Sequence, residues 1–172
     1  MFDNFDRLSA YLSDAAAAGK LTYQADAPLS RLSTFRIGGS AVFAVWPKTA
    51  EEMASLVALT DTLSIPMAVV GNGSNLLFDD KGYDGVIVVT TSLTDVRRDG
   101  DRLIASCGVP LTHLALVAER EGLGGLSFAY GIPGTLGGAV FMNAGAYGGE
   151  MKNVVESVSW YDPETDEFGR YS

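Results

Sequence analysis

Two glycine-rich segments hold the residues whose types and spacing best suit ligand binding. The shorter one runs from Val70 to Asp79 and carries two glycines beside Ser74 and Asn75. The longer one runs from Tyr130 to Glu150, YGIPGTLGGAVFMNAGAYGGE, and contains seven glycines. Glycine loses more backbone freedom on folding than any other residue, so this density is favoured where a ligand approaches the backbone. We interpret the two segments as halves of one binding site.

The shorter segment follows a predicted buried strand, Met67 to Val70, at the position where α/β proteins bind ligands. A turn whose backbone N–H groups converge, supplemented by the side chains of Ser74 and Asn75, suits a pyrophosphate. The sequence GNGSN lacks the third glycine of a GxGxxG fingerprint and the Gly-Lys-Ser/Thr of a P-loop. On these residues alone, an ordinary turn is the alternative interpretation.

The longer segment predicts a short helix through Phe141 that Thr135 caps. Gly134 and Gly138 remove bulk where a flat ring or a phosphate would approach. Asn143 and the backbone amides of residues 145–147 supply hydrogen-bond donors. A structural loop packed on the core is the alternative, but the glycine content and apolar character favour a buried ligand.

Composition limits the classes of ligand and partner. The 172 residues are 47% hydrophobic and carry a net charge of −9, which argues against a nucleic-acid or anionic-membrane surface. Backbone amides can still bind a phosphorylated ligand without basic side chains. Cys107 is the only cysteine, so we expect no intramolecular disulfide, and we also expect no metal site. The sequence has no secretory signal and no long apolar run, which predicts a cytoplasmic protein.

Hydrophobic periodicity predicts an α+β chain in two parts that meet near residues 90–93. The segment Tyr23 to Ser33 is predicted to be irregular. Thr49 and Glu52 form the pattern of a capping box for the second helix. The predicted helices are 3–18, 49–63, 110–121 and 135–141; the predicted strands are 41–46, 67–70 and 86–89, followed by hairpins at 94–107 and 154–171.

Four stretches carry a family resemblance: TFRIGG at residues 34–39, VGNGSNLLF at 70–78, GLGGLSFAYGIPGTLGGAVFMNAGAYGGE at 122–150, and the final hairpin. Together they closely resemble the UDP-N-acetylenolpyruvoylglucosamine reductases from about Leu32 onward. The resemblance implies the FAD-binding fold of the vanillyl-alcohol-oxidase (PCMH) type, with FAD held between two α+β subdomains. We expect a lead-in over residues 1–31 and the two subdomains over residues 32–91 and 92–172, without a C-terminal substrate domain.

The resemblance also implies which residues contact FAD. The turn after the second predicted strand would wrap the pyrophosphate, and Arg36 would approach the cofactor. The longer segment would line the ribityl and isoalloxazine parts. The expected cofactor-binding residues are Arg36, Gly71, Asn72, Gly73, Ser74, Asn75, Leu76, Gly131, Ile132, Pro133, Gly134, Thr135, Gly137, Gly138, Asn143, Gly145, Ala146 and Tyr147.

The activity implied by the resemblance is an oxidoreductase step of peptidoglycan precursor synthesis. NADPH would reduce a non-covalently bound FAD, and the flavin would reduce UDP-N-acetylglucosamine enolpyruvate to UDP-N-acetylmuramate, in a monomeric protein. The family's catalytic residues are expected beyond Ser172, so the chain alone is predicted to be inactive. The alternatives are another non-covalent flavoprotein of the same fold and a non-catalytic module that binds FAD or another nucleotide.

Overall fold

A four-stranded sheet with helices on one face forms the first part of the chain. The computed structural model describes residues 2–172, with side chains described from Asn4 onward. The elements are α1 (Phe2–Ala17), β1 (Leu21–Pro28), β2 (Ser40–Pro47), α2 (Ala50–Thr62), β3 (Met67–Val70) and β4 (Tyr83–Val89). The strand order is β1-β2-β4-β3, with β1 antiparallel to β2 and the other three strands parallel. The predicted strand-helix-strand unit is therefore present, and β4 lies between its two strands.

Strand β1 corrects the prediction of irregular structure from Tyr23 to Ser33. The first part of that segment lies in β1, which pairs along its length with β2, from Leu21 opposite Pro47 to Pro28 opposite Ser40. The strand lies at the edge of the sheet, and four of its eight side chains are exposed. Apolar residues at positions 21, 23, 25 and 27 do alternate with polar ones, but two of them are small alanines of low β-propensity and Pro28 follows, which makes the pattern weak.

The predicted capping box fixes the start of α2. The hydroxyl of Thr49 accepts a hydrogen bond from the Glu52 amide at 3.2 Å. The Glu52 carboxylate in return accepts one from the Thr49 amide at 3.1 Å. Each partner satisfies an amide that the helix itself leaves unpaired, which stabilises a helix start by about 1 kcal/mol.

The hydrophobic core occupies both faces of the sheet. Val86 and Val88 of β4 are fully buried against the face that α1 and α2 cover. Ile87 and Val89 point to the opposite face, where they pack with Val70 at the end of β3. Each such side chain contributes about 1.5–3 kcal/mol on burial. This packing fixes the carboxyl end of β3, from which the shorter glycine-rich segment leaves the sheet.

The second part of the chain consists of short elements around a separate cluster of buried side chains. These elements are β5 (Val96–Asp99), β6 (Arg102–Ala105), α3 (Leu111–Arg120), α4 (Leu136–Phe141), β7 (Gly145–Ala146), β8 (Gly149–Glu150), β9 (Val158–Asp162) and β10 (Glu167–Tyr171). The two predicted hairpins are confirmed as the pairs β5–β6 and β9–β10, although β9 begins at Val158 instead of Val154. The buried cluster consists of Leu111, Phe128, Ala129, Ala139 and Met151.

The two parts meet at the carboxyl edge of the sheet. A 3₁₀ turn, Thr90–Ser92, follows β4, and the Thr90 hydroxyl donates a hydrogen bond to the Val70 carbonyl at 3.4 Å. A side chain on Gly108 would collide with the Thr90 carbonyl oxygen, so the backbones approach as closely as glycine permits. The start of the second part is thereby held beside the end of β3. No helix among residues 2–172 is both long and apolar enough to cross a bilayer.

Candidate functional site

The turn at Gly71 to Asn75 can be formed only with glycine at its centre. Gly73 is buried and has φ +63°, in the left-handed region that side-chain-bearing residues rarely adopt. A Cβ at this position would also collide with the Leu32 carbonyl oxygen and lie 2.9 Å from the Ser33 Cα. Both the backbone angle and the surrounding backbone therefore exclude a side chain.

The backbone amides of Asn72, Gly73, Ser74 and Asn75 donate no hydrogen bond to any described part of the chain. The Gly73 carbonyl does have a partner, because it accepts a hydrogen bond from the Thr34 amide at 3.1 Å. The turn is thus anchored through its carbonyl while successive N–H groups are left for another acceptor. Consecutive free amides around a left-handed residue form the concave donor set that binds anions.

A second segment, Thr34 to Gly39, runs beside this turn and holds it. The Gly39 amide donates to the Asp79 carbonyl at 3.0 Å. Ser33, which is 6% exposed, donates its hydroxyl proton to the Leu76 carbonyl at 2.7 Å and accepts from the Phe35 amide at 3.2 Å. Ser33 is a supporting residue that the sequence analysis missed, because only its place before the TFRIGG motif marks it.

Arg36 lies on the segment Thr34 to Gly39, in a strained backbone conformation. Its φ is +56°, and its amide donates to the Ser33 carbonyl at 3.1 Å. Its side chain is exposed and forms no ion pair within the described residues. Arg36 is therefore a cation without an acidic partner among the described residues, two positions along the chain from the Thr34 amide that binds the turn.

The two glycine-rich segments lie against each other. Asn72 Nδ2 donates to the Pro133 carbonyl at 3.3 Å. A Cβ on Gly71 would collide with the Thr135 hydroxyl, and a Cβ on Gly134 would lie 3.7 Å from Ser74 Oγ. The structure therefore brings residues 71–74 and 133–135 together, although they are about 60 positions apart in the sequence.

The glycines of the longer segment fall into two groups. Gly137 packs on the protein itself: its amide donates to the Cys107 carbonyl at 2.7 Å, and a Cβ would lie 2.8 Å from the Cys107 Cβ. Burial raises the pKa of the Cys107 thiol, which reduces its thiolate character. By contrast, Gly131 has nothing within 4 Å of a Cβ, and Gly138 has only the Thr135 hydroxyl at 3.5 Å. Close packing on Cys107 explains why residue 137 is glycine. At positions 131 and 138 the protein leaves room for a side chain, so packing does not explain these two glycines.

Thr135 precedes α4 as predicted, but the prediction that its side chain caps this helix is wrong. Its backbone is extended, as in an N-cap residue, yet its hydroxyl forms no capping bond. The residue is 3% exposed, and its Oγ1 has no hydrogen-bond partner among the described residues. The hydroxyl packs instead against Gly71, a contact between distant segments that local sequence rules do not foresee.

Asn143 has its side-chain amide engaged within the protein. Its Nδ2 donates to Glu150 Oε2 at 2.8 Å, and its Oδ1 accepts from the Lys152 amide at 2.9 Å. Lys152 Nζ also contacts Glu150 Oε1 at 2.7 Å. Hydrogen bonds from Lys152, and then from Asn143, lower the pKa of Glu150. This network braces the base of the small β7–β8 hairpin.

The tip of that hairpin carries Tyr147, which has φ +52° and is 98% exposed. Phe141, at the end of α4, is 88% exposed. Gly149 lies against the Phe128 ring, where a Cβ would approach within 2.6 Å of a ring carbon. The hairpin is therefore fixed to the core at its base while it presents an aromatic ring at its tip.

The other predicted residues line the edges of this arrangement. Ile132 and Ala146 are half-buried, whereas Pro133, Gly145 and Leu76 are exposed. Cavities of about 620 Å³ and about 580 Å³ lie elsewhere and contain no residue of 71–76 or 131–147. Most of the predicted residues are exposed or half-buried, so the candidate site lies at the surface, and we call it the groove. Within the described residues, no group of three or more His, Cys, Asp or Glu side chains could hold a metal ion.

Comparison with known proteins shows the family to which the chain belongs. The profile of a family described as FAD binding domain matches residues 41–166, most of the chain. The chain belongs to this FAD binding domain family. The domain shares 46% identity with the UDP-N-acetylenolpyruvoylglucosamine reductase of Caldicellulosiruptor bescii over 84% of the chain and 47% of that protein. It shares 44% with the reductase of Lactobacillus acidophilus over 77% of the chain and 44% of that protein.

Solved structures lead to the same fold. The reductase MurB from Thermus caldophilus superposes with a TM-score of 0.68 at 31% identity, over 88% of this domain and 52% of that chain. A solvent-stable cholesterol oxidase has a TM-score of 0.69 at 18% identity, over 88% of this domain and 33% of that chain, and indicates the fold alone. The predicted FAD-binding α+β fold is confirmed, and so is the resemblance to the reductases. The chain spans about half the length of the curated relatives it matches.

Proposed function

We propose that the chain is the FAD-binding part of an NADPH-dependent reductase that converts UDP-N-acetylglucosamine enolpyruvate to UDP-N-acetylmuramate. The support comes from the family match and from the relatives, which carry the name of this reductase along 44–46% identical sequences. The product would serve peptidoglycan synthesis, and hence cell-wall formation, cell shape and division. We also propose that the protein is cytoplasmic and monomeric. Its net charge of −9 argues against a nucleic-acid or anionic-membrane partner.

The single observation that supports the binding half of this proposal most strongly is the turn at Asn72 to Asn75. Four successive amides there lack a partner, and Gly73 tolerates no Cβ. This donor set fits the diphosphate of FAD, which can accept several hydrogen bonds without a basic pocket. Arg36 adds a nearby positive charge that forms no ion pair within residues 2–172.

The longer segment would hold the rest of the cofactor. The open positions at Gly131 and Gly138 leave space where a ring or ribityl chain can lie against the backbone. The remaining proposed contacts to this part are Ile132, Pro133, Gly134, Thr135, Gly137, Asn143, Gly145, Ala146 and Tyr147, with Leu76 beside the turn. Gly137 and Asn143 act by holding the backbone, because their own contacts are within the protein. The subdomains would be residues 32–91 and 92–172, after a lead-in of residues 1–31.

The chain's own residues would bind and orient the cofactor without reacting. Bound FAD supplies the hydride-transfer chemistry, which no amino-acid side chain provides. Among the described residues the groove contains no free histidine, cysteine or carboxylate: His113 lies on α3 outside it, and Cys107 is packed under Gly137. We propose that substrate-activating groups are supplied from outside residues 1–172, and that this chain alone does not turn over the sugar nucleotide.

One experiment separates the parts of this proposal. The chain, and a longer protein that contains it, are purified and their visible spectra recorded with FAD, then with NADPH, then with the enolpyruvyl sugar nucleotide. We expect flavin in both, and in the longer protein reduction by NADPH followed by reoxidation by the sugar. If NADPH reduces the flavin but the sugar nucleotide does not reoxidise it, the remaining assignment is another flavoprotein of this fold. A chain that binds no flavin would contradict both flavoprotein assignments.

A further inference from the structure

The hydroxyl of Thr135 is a buried polar group that the fold leaves without a partner. The residue is 3% exposed, and its Oγ1 is hydrogen-bonded to nothing within the described chain. A buried hydroxyl without a partner costs about 1–3 kcal/mol. Thr49 stands at the equivalent position before α2, and its hydroxyl accepts a hydrogen bond from its own helix at 3.2 Å. Thr135 therefore forgoes a bond that a threonine at this position readily makes.

Hydrogen bonds fix the backbone on both sides of Thr135. Thr135 forms a β-bridge with Pro110. On either side of it, the Leu136 amide donates to the Val109 carbonyl at 2.8 Å, and the Leu111 amide donates to the Gly134 carbonyl at 3.0 Å. The backbone of Thr135 is consequently fixed by strand-like pairing with residues 109–111. This pairing holds the residue at the seam between the two glycine-rich segments.

What lies over the hydroxyl is Gly71, the first residue of the free-amide turn. Gly71 has no side chain, and Gly138 on the other side of the hydroxyl has none either. The amides of the next four residues donate to nothing in the described chain, and the turn is held through the Gly73 carbonyl and the Asn72 side chain. A shift of Gly71 away from Thr135 would expose the hydroxyl to the groove in which we place the diphosphate.

We propose that Thr135 donates its hydroxyl proton to a phosphate oxygen of the bound dinucleotide, through a small outward shift of the Gly71 to Asn75 turn. This inference rests on the proposed function and assigns Thr135 to the diphosphate instead of the ribityl or ring portion. Phosphate oxygens only accept hydrogen bonds, and a hydroxyl is a donor that can rotate toward them. A hydrogen bond to a charged acceptor is roughly twice as strong as a neutral one. The ligand thereby satisfies the group that the ligand-free fold leaves unpaired.

The test uses Thr135→Val, which keeps the shape of the side chain but removes the hydroxyl, and Thr135→Ser, which keeps a hydroxyl. Affinities for FAD and for riboflavin, which has no phosphate, are measured by flavin fluorescence, and the ligand-free chain is melted. We expect Thr135→Val to lower the affinity for FAD about tenfold or more and to leave the affinity for riboflavin unchanged. The ligand-free variant should melt at or above the wild-type temperature. Thr135→Ser should bind FAD within a few-fold of wild type.

Thr49→Val is the matched control, because it removes a hydroxyl that caps a helix away from the groove. It should lower the melting temperature and leave FAD affinity unchanged. The inference is overturned if Thr135→Val binds FAD as tightly as wild type, or if riboflavin loses as much affinity as FAD. It is also overturned if ligand-free Thr135→Val is destabilised like Thr49→Val, since the hydroxyl would then be structural. A wild-type chain that binds no FAD refutes instead the proposed function on which this inference rests.

Discussion

The carbonyl oxygen of Leu32 occupies the place where a side chain on Gly73 would begin. Gly100 provides a natural comparison, since it has the same φ of +63° but nothing within 4 Å of a Cβ. At both positions the left-handed backbone favours glycine. Only at Gly73 does a neighbouring chain segment also leave no room for a side chain. The tight turn after β3 therefore depends on the segment that precedes TFRIGG, and the two must form together.

Gly73→Ala should abolish FAD binding, while Gly100→Ala should retain it. The left-handed conformation costs either alanine about 1–2 kcal/mol, but only at position 73 must the backbone also move away from Leu32. FAD affinity and melting temperature are measured for both variants.

Asn75→Asp is a variant that leaves the backbone unchanged. It puts a carboxylate beside the free amides, and it should weaken FAD binding without loss of stability. Wild-type affinity in Asn75→Asp would contradict an anion site at this turn.

Alanine at two neighbouring glycines of α4 should have opposite effects. Gly137→Ala places a Cβ 2.8 Å from the Cys107 Cβ and should destabilise the fold. Gly138→Ala meets only the Thr135 hydroxyl, at 3.5 Å, and should raise the stability of the ligand-free chain by up to about 1 kcal/mol through helix propensity. Gly138→Ala should nevertheless weaken FAD if the cofactor lies against this helix. Denaturant unfolding and flavin titration give both quantities, and a Gly138→Ala variant with undiminished FAD affinity would place the cofactor elsewhere.

Acid should loosen the β7–β8 hairpin through Glu150. Hydrogen bonds from Lys152 and Asn143 lower the pKa of Glu150 in the folded chain. A lowered pKa contributes stability above the ordinary carboxyl range, and this contribution is lost as the pH falls through the folded pKa. Glu150→Gln should therefore be less stable than wild type near neutral pH, and the difference should close in acid. Melting curves between about pH 7 and about pH 3 test this; a difference that stays constant with pH would show that the charge of Glu150 plays no part.

Cys107 should react slowly with thiol reagents. Burial raises the pKa of its thiol, so less thiolate is present near neutral pH than for a free cysteine. Alkylation by iodoacetamide, followed by mass spectrometry, should be slower than that of a cysteine in an unstructured peptide at the same pH. In denaturant the rate should rise to the peptide value. Alkylation at the peptide rate in the native chain would mean that Cys107 is not packed beneath Gly137.

The parts of the fold that were predictable are those with local signals. The Thr49 and Glu52 pair marked the start of α2, and Gly100 marked the turn of the β5–β6 hairpin. Strand β1 was missed because it is an edge strand held by backbone pairing, with only Leu21 and Ala27 buried among its apolar side chains. Its alternation of apolar and polar residues rests in part on two small alanines, so the pairing with β2 is the stronger determinant of its conformation.

The two segments of the site could be predicted from the sequence, but the contacts that join them could not. Glycine density marked residues 71–75 and 130–150, and motif resemblance suggested that both contact one ligand. Local sequence rules predicted that the Thr135 hydroxyl caps its own helix. In the structure the hydroxyl instead lies beside Gly71 and forms no capping bond. The support that Ser33 gives to Leu76 likewise joins residues 43 positions apart. Such contacts are set by tertiary packing, which no local pattern encodes.

The visible absorbance spectrum of the purified chain tests the central claim most directly. The chain is purified, incubated with FAD, separated from free cofactor and scanned, with the Asn75→Asp variant treated in the same way. We expect flavin absorbance to remain with the wild-type chain and to be reduced in the variant. A correctly folded wild-type chain that retains no flavin would contradict this claim.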